Sequence, residues 1–483
     1  MRRARVTLGL VMLAACRPSS GTAPPQPTTR STSPWHYVAQ LDDDGRGVAV
    51  RLCFDGAAPA SLRTIAEEAA PHFEQLAIEG SDRALAIDGR TVALDGVPAG
   101  GCVRWHADFD AIAAAGGRSA TALGDSVLVR QSSWLLWPQG ESRGGRATLE
   151  LHLPRGVRAS VPWPLIEGDR DGPSARYALD ATVSRWMGYT AFGQLAIDRF
   201  ERAGAEIEVV RLDAPVACGD DGVRAWIDDA IDGAAMLYHG YPRERLQVVV
   251  VPVDGGGGPV YFGAAARGGG AGVFLLLDTS AQAQRLPGGW TTVHELLHHG
   301  MPFVADAWMG EGFVSYYTEV MRSRQGHRDE REGWQELYEA FERGRRDAHG
   351  RGLAQLSEAM HETHAYQAVY WGGAAIAFEL DVAMRLADPS GDGFDAAMRH
   401  LRGCCGDSVV QVQADTLLQE LDRWYGKPWF TRVARRQLDA RGFADTDAIF
   451  ARLGIGIVDG KVVLDDAHPA AAARRAIMAP RGR

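Results

Sequence analysis

A multidomain α+β chain is what these 483 residues predict, on three observations. Short β-rich runs punctuated by Gly, Pro and Asp fill residues 35–205. Between 206 and 320, helical stripes alternate with buried-strand patterns, and from 321 to 483 amphipathic helical spacing dominates. An apolar fraction of 46% and a charged fraction of 23% are those of an ordinary globular protein, long enough here for two or three domains.

Residues 1–34 stand ahead of these domains. Met1-Arg2-Arg3-Ala-Arg5 followed by the apolar run Val6–Leu13 has the layout of a signal peptide and is too short to span a bilayer. It ends in Leu13-Ala14-Ala15-Cys16, which resembles the lipobox of bacterial lipoproteins. The resemblance implies cleavage before Cys16, diacylglycerol on its thiol, export, and attachment to a membrane of the cell envelope through that lipid. An ordinary secretory signal cleaved after Ala15 is the alternative. Residues 17–34 are Pro, Ser and Thr with nothing to build a core, a disordered tether.

The formal charge is −10, and no Lys/Arg cluster stands among interleaved aromatics, which argues against a nucleic-acid partner. Five cysteines remain besides Cys16, none with Cys-x-x-Cys spacing. In an oxidising compartment Cys53 is expected to pair with Cys102, and Cys218 with one of Cys404 and Cys405.

In the first domain, residues 48–54, 84–88 with 91–94, 126–130 and 148–153 read as strands, with helical interruptions near 60–76 and 107–115. In the second, Val223, Trp226, Ile227, Ala230, Ile231, Ala234 and Leu237 form a helical stripe that stops near Gly240-Tyr-Pro242. Leu246–Val253 then reads as a buried strand, 254–259 and 268–272 as Gly-rich loops, and 273–278 as another strand. Neither loop precedes a helix with Lys-Ser/Thr, which argues against a phosphate cradle. In the third domain Trp334, Leu337, Tyr338 and Phe341, then Leu417, Leu421 and Trp424, read as bundle core.

The chemistry concentrates in residues 290–319. His294 and His298 are four apart, so on a helix both imidazoles lie on one face and can reach one ion. Glu295 sits about 100° around that helix, placed to take a proton from water at the ion. A catalytic zinc usually takes three protein ligands, so a third donor must come from elsewhere. Gly300 and Pro302 end the helix, and Trp308-x-x-Glu311-Gly312-Phe313-x-x-Tyr316 follows with helical spacing around one acid. Glu311 is the leading candidate; Asp306 and Glu319 are other possible donors, and Glu319 could instead hold a ligand imidazole. Met301 and Val304 stand where a metzincin needs Gly and His.

This segment resembles the gluzincin metallopeptidases, in which a His-Glu-x-x-His helix is followed by a second helix carrying a Glu ligand; its wording is similar to the glycyl and alanyl aminopeptidase branch. The resemblance implies one Zn2+ on His294, His298 and Glu311, Glu295 as general base, and a peptide or protein substrate. It also implies a β-sandwich-like first domain, a thermolysin-like α/β catalytic domain and a helical C-terminal domain. The segment His364–Arg385 is similar to the Tyr-x-x-Gly helix of the same families, which implies that Tyr370 donates a hydrogen bond to the oxyanion, with Tyr366 as the reserve. In thermolysin-like folds the strand just before the zinc helix lies at the sheet edge, which places 273–278 there, open to an added peptide strand. Residues 253–290 contain no Glu, whereas aminopeptidases of this branch carry one there for the substrate's amine. A catalytically inactive cell-surface protein that holds peptides on the same scaffold is the alternative.

Overall fold

The computed structural model describes residues 35–81, 83–117, 119–138, 146–180, 188–255 and 257–481. The expected signal peptide with its lipobox and the expected tether lie outside the described residues.

The N-terminal part is sheet-rich, with one seven-stranded and two four-stranded sheets. In Trp35–Leu41, Trp35, Tyr37, Ala39 and Leu41 point inward on alternate positions, as a two-residue side-chain period requires. Side chains from all three sheets meet in one core, among them Tyr37, Leu62, Trp105, Val127, Leu149 and Phe192. Cys53 and Cys102, directly opposed on the antiparallel strands Gly47–Phe54 and Cys102–Asp108, form the expected disulfide. The expected interruption near 107–115 is the helix Phe109–Ala114, capped by Asp108, whose carboxylate accepts the Ala111 N–H.

The interruption expected near 60–76 is instead two strands, Ser61–Arg63 and Phe73–Ile78, around a single turn Ala70–His72. Ser61–Arg63 pairs on both sides, with Thr91–Ala93 and Trp137–Pro138, and these tertiary partners override a weak local helical pattern.

The second group of strands forms one five-stranded sheet in the order Ala196–Arg202, Ala205–Arg211, Arg245–Val253, Gly272–Asp278, Val260–Ala266. The Val-rich run 245–253 is its buried middle, parallel to both neighbours, and the helix Gly219–Tyr238 makes the crossover that a parallel pair needs. This sheet starts before the divide expected at 205/206, and the divide expected at 320/321 falls inside the helix Ala307–Arg324. The described residues fall in one compact unit.

The edge strand differs from expectation. Gly272–Asp278 lies one position in, and Val260–Ala266 closes the sheet antiparallel to it. Gly269 (φ +69°) and Gly270 (φ +102°) adopt left-handed conformations in the turn between them, which only glycine takes without strain, and so the chain reverses within a few residues.

The C-terminal part is helical. Trp334, Leu337 and Phe341 of Glu330–Ala348 are buried as their stripe predicts, with Phe341, Phe378 and Phe450 packed ring to ring. Leu417 and Leu421 are buried too, whereas Trp424 is 39% exposed and lies outside the core assigned to it. A hairpin, Ile455–Val458 with Lys461–Leu464, interrupts the helices. Among the described residues no helix is long and apolar enough to cross a membrane.

Candidate metal centre

The motif helix spans Trp290–Leu297 and buries Thr292, Val293, Leu296 and Leu297. Its end is set by a close contact. A Cβ at Gly300 would stand 2.2 Å from the Tyr238 ring, whose hydroxyl donates to the Leu297 carbonyl at 3.2 Å. Only glycine lets the chain turn there, away from the helix and toward Ala307–Arg324.

That second helix brings Glu311 to the two imidazoles. Nε2 of His294 and Nε2 of His298 are 3.1 Å apart, and Oε2 of Glu311 lies 3.1 Å from the first and 3.3 Å from the second. The three donors could hold a metal ion. A point equidistant from the three atoms lies about 1.8 Å from each, close to the roughly 2.0–2.2 Å bonds zinc makes to N and O, so the donor set fits a zinc ion. His294 is buried and the Glu311 side chain is 27% exposed, so the cluster is sheltered yet reachable from one side. Burial pushes the Glu311 carboxyl up, but the two imidazoles outweigh it and hold that carboxyl well below the usual range, ionised as a ligand must be.

Glu295 turns the other way, to the edge strand. Its Oε2 accepts the Ala265 N–H at 2.9 Å, and a Cβ at Gly263 would stand 2.7 Å from its Cγ. The missing side chain at Gly263 is therefore what lets the strand lie against this carboxylate. Burial raises the Glu295 carboxyl to about 7, with His294 lowering it, Glu311 raising it and the Ala265 amide lowering it. A carboxyl there takes up and returns a proton near neutrality.

Tyr370, on the helix Tyr366–Ala387, stands near the carboxylates of Glu311 and Glu295, and its ring stacks on His294 at 5.9 Å and 8°. Burial first, then the carboxylates of Glu311 and Glu295, push its phenol far up, so it stays a proton donor. Tyr366, one turn earlier, is 38% exposed and packs near His361 and His364.

Two positioning groups carry no motif signature. Trp290 stacks on His294 at 4.3 Å and 19° and fixes the plane of that ring. Thr318 donates its hydroxyl proton to the Val314 carbonyl at 2.8 Å, so at 3.4 Å its oxygen can only accept from Nδ1–H of His294. That tautomer leaves Nε2 free to bind an ion. Thr318 lies seven residues beyond Glu311, two turns along the same face, a spacing that could have singled it out.

The other donors considered are engaged elsewhere. Glu319 accepts from Arg322 at 2.9 Å and Arg328 at 2.8 Å, and Asp306 accepts the Ala414 N–H at 2.7 Å. His299, next in sequence to the motif, is buried between the Tyr241 hydroxyl at 2.6 Å and the carbonyls of Ala266 and Gly272, a structural tie. The expected Cys218 pairing is overturned: Cys404 and Cys405 bond each other, which leaves neither sulfur for Cys218, a free thiol.

No protein-family model and no curated protein sequence matches the chain. Solved structures do. An aminopeptidase N family protein from Idiomarina loihiensis superposes with a TM-score of 0.70 at 16% identity, over 88% of this chain and 79% of that one. An M1 zinc metallopeptidase from Deinococcus radiodurans gives 0.54 at 13% identity, over 85% and 93%. Native yeast LTA4 hydrolase gives 0.55 at 13% identity, over 85% and 69%. At these identities the likeness is one of fold. With a sheet-rich N-terminal part and a helical C-terminal part, the chain has the fold of the M1 zinc metallopeptidases, the thermolysin-like gluzincins its motif resembles.

Proposed function

We propose that this protein is a zinc-dependent peptidase, with His294, His298 and Glu311 as ligands of a single ion, Glu295 as general base and Tyr370 as oxyanion donor. The observation that carries the reading is the triangle of two imidazole nitrogens and one carboxylate oxygen with a second carboxylate beside it. Zinc bound there supplies Lewis acidity, lowering the pKa of a water and polarising a carbonyl.

The chain's own groups do the rest. A peptide extended along Val260–Ala266 brings its carbonyl beside Glu295, which takes the proton of the attacking water and hands it to the leaving amine. Tyr370, its phenol kept protonated, gives its hydroxyl proton to a hydrogen bond with the oxygen on which charge develops, a donor worth about 10² to 10³ in rate. Residues 253–290 offer no Glu for a free amine, so cleavage need not start at a chain's N-terminus. Export and a lipid on Cys16 belong to the same reading: the enzyme works from a membrane of the cell envelope.

The test is hydrolysis of a quenched-peptide library by the purified chain, with zinc counted by mass spectrometry. Chelation should abolish cleavage, and Glu295→Gln should keep the zinc yet lose nearly all activity. Full activity in that variant would refute the assigned base. A wild type that holds zinc and peptides but cuts nothing is instead a peptide-binding protein. Cys16→Ser should release the protein from the membrane fraction; continued membrane association would sink the lipid anchor.

A further inference from the structure

A second cluster repeats the plan of the first. His400 and Cys404 are four apart on the helix Phe394–Cys405, so their side chains lie one turn apart on one face. Glu420 reaches them from the next helix, Ala414–Tyr425, with Oε1 at 2.9 Å from Nε2 of His400. Trp424, one turn beyond Glu420, stacks on the His400 ring at 5.1 Å and 18°, as Trp290 stacks on His294. One ring nitrogen of His400, Sγ of Cys404 and a Glu420 oxygen all lie within 4.8 Å of one another. Arg423 holds the other Glu420 oxygen in an ion pair, which leaves Oε1 turned to the imidazole.

Cys404 is closed off by its bond to Cys405. A disulfide sulfur carries no charge and is a poor ligand, while a thiolate is among the best donors for zinc. Cys404 is exposed, and the His400 and Glu420 side chains are 24% and 26% exposed, so reductant and ion can both reach the site.

We propose that His400, Cys404 and Glu420 form a second zinc site that exists only while the Cys404–Cys405 disulfide is reduced. A dithiol reductant delivers two electrons and two protons, the S–S bond breaks, both cysteines become thiols and the reductant becomes a disulfide. On zinc binding the Cys404 thiol gives its proton to solvent, and His400 exchanges its contact with Glu420 for the ion. The nitrogen, sulfur and oxygen donors suit a borderline-soft divalent cation, with a fourth position left to water. The protein would then sense the redox state of its compartment through the metal it carries.

The experiment uses the full chain in a background carrying Cys53→Ser, Cys102→Ser and Cys218→Ser, so that Cys404 and Cys405 are the cysteines reduced beside the site. It is oxidised, or reduced with a phosphine, which does not itself compete for the metal as a dithiol does. Zinc is counted by mass spectrometry after removal of free ion, and Co2+ is used in parallel as a spectroscopic probe. Reduction should add one equivalent of zinc and a thiolate-to-cobalt charge-transfer band. Both should vanish in Cys404→Ser, His400→Ala should lose the added equivalent, and Cys405→Ser should bind without any reductant. Equal zinc in both redox states, or a cobalt band that persists in Cys404→Ser, would overturn the proposal, leaving His400 and Glu420 as a surface ion pair.

Discussion

Gly312 and Gly373 meet backbone to backbone where Ala307–Arg324 crosses Tyr366–Ala387: a Cβ on Gly312 would stand 2.4 Å from the Gly373 Cα. Glu311 precedes the first glycine by one residue, and Tyr370 precedes the second by one turn. The glycine contact thus sets the distance between candidate ligand and candidate oxyanion donor.

Gly373→Ala tests this relation. The new methyl would stand 1.7 Å from the Trp308 carbonyl oxygen, an atom of the backbone that cannot rotate away. Overpacking of this kind costs about 1–3 kcal/mol, and a backbone clash belongs at the upper end. Denaturant melts should show that loss with an unchanged m-value, and peptide hydrolysis should fall further than stability explains. Wild-type stability and activity would show that the helices can part without consequence.

Tyr370→Phe removes one hydroxyl and keeps the ring stacked on His294. The expected result is a loss of about 10² to 10³ in kcat with little change in KM and in zinc content, since the hydrogen bond is made only as charge develops. A change confined to KM would mean that the phenol holds substrate instead.

The centre was legible because its signal is local: His294, Glu295 and His298 share barely more than one turn, and Glu311 sits in a segment of unbroken helical spacing. The edge strand was not. Val260-Tyr-Phe-Gly-Ala-Ala-Ala has no alternation to mark it as half-buried, and its place outside Gly272–Asp278 depends on a strand order that no run of residues encodes. Ser61–Arg63 was missed for the same reason, being a strand through its partners. The cysteines show the limit most plainly: Cys53 and Cys102 both lie in the strand-rich first domain, whereas nothing in spacing alone separates a Cys404–Cys405 bond from a longer one to Cys218.

The Glu295 carboxyl gives a pH signature in the zinc-stripped protein. Its folded value of about 7 lies above the unfolded carboxylate value, so between those two the folded state binds more protons and stability falls as pH rises. Below the unfolded value the group contributes nothing. The fall is complete once pH passes the folded value and is about 3 kcal/mol at most. Urea midpoints compared at pH 5 and pH 7.5 should drop more in the wild type than in Glu295→Gln, which cannot ionise. Parallel drops in the two proteins would place the raised titration elsewhere.

Thr318→Val asks whether the tautomer of His294 is set from behind. Valine keeps the shape of threonine and removes the oxygen that accepts from Nδ1–H, so the ring loses the partner that keeps its proton on that side. Removing such a partner from a metal-bound imidazole typically costs about 10–100-fold in affinity, and the long 3.4 Å contact argues for the lower end, about tenfold. Competition with a chromophoric chelator reads this directly. Glu319→Gln is the matched control: its carboxylate faces Arg322 and Arg328, so zinc affinity should hold there while stability drops. An affinity loss in Glu319→Gln with none in Thr318→Val would reverse the assignment and return the supporting role to the acid.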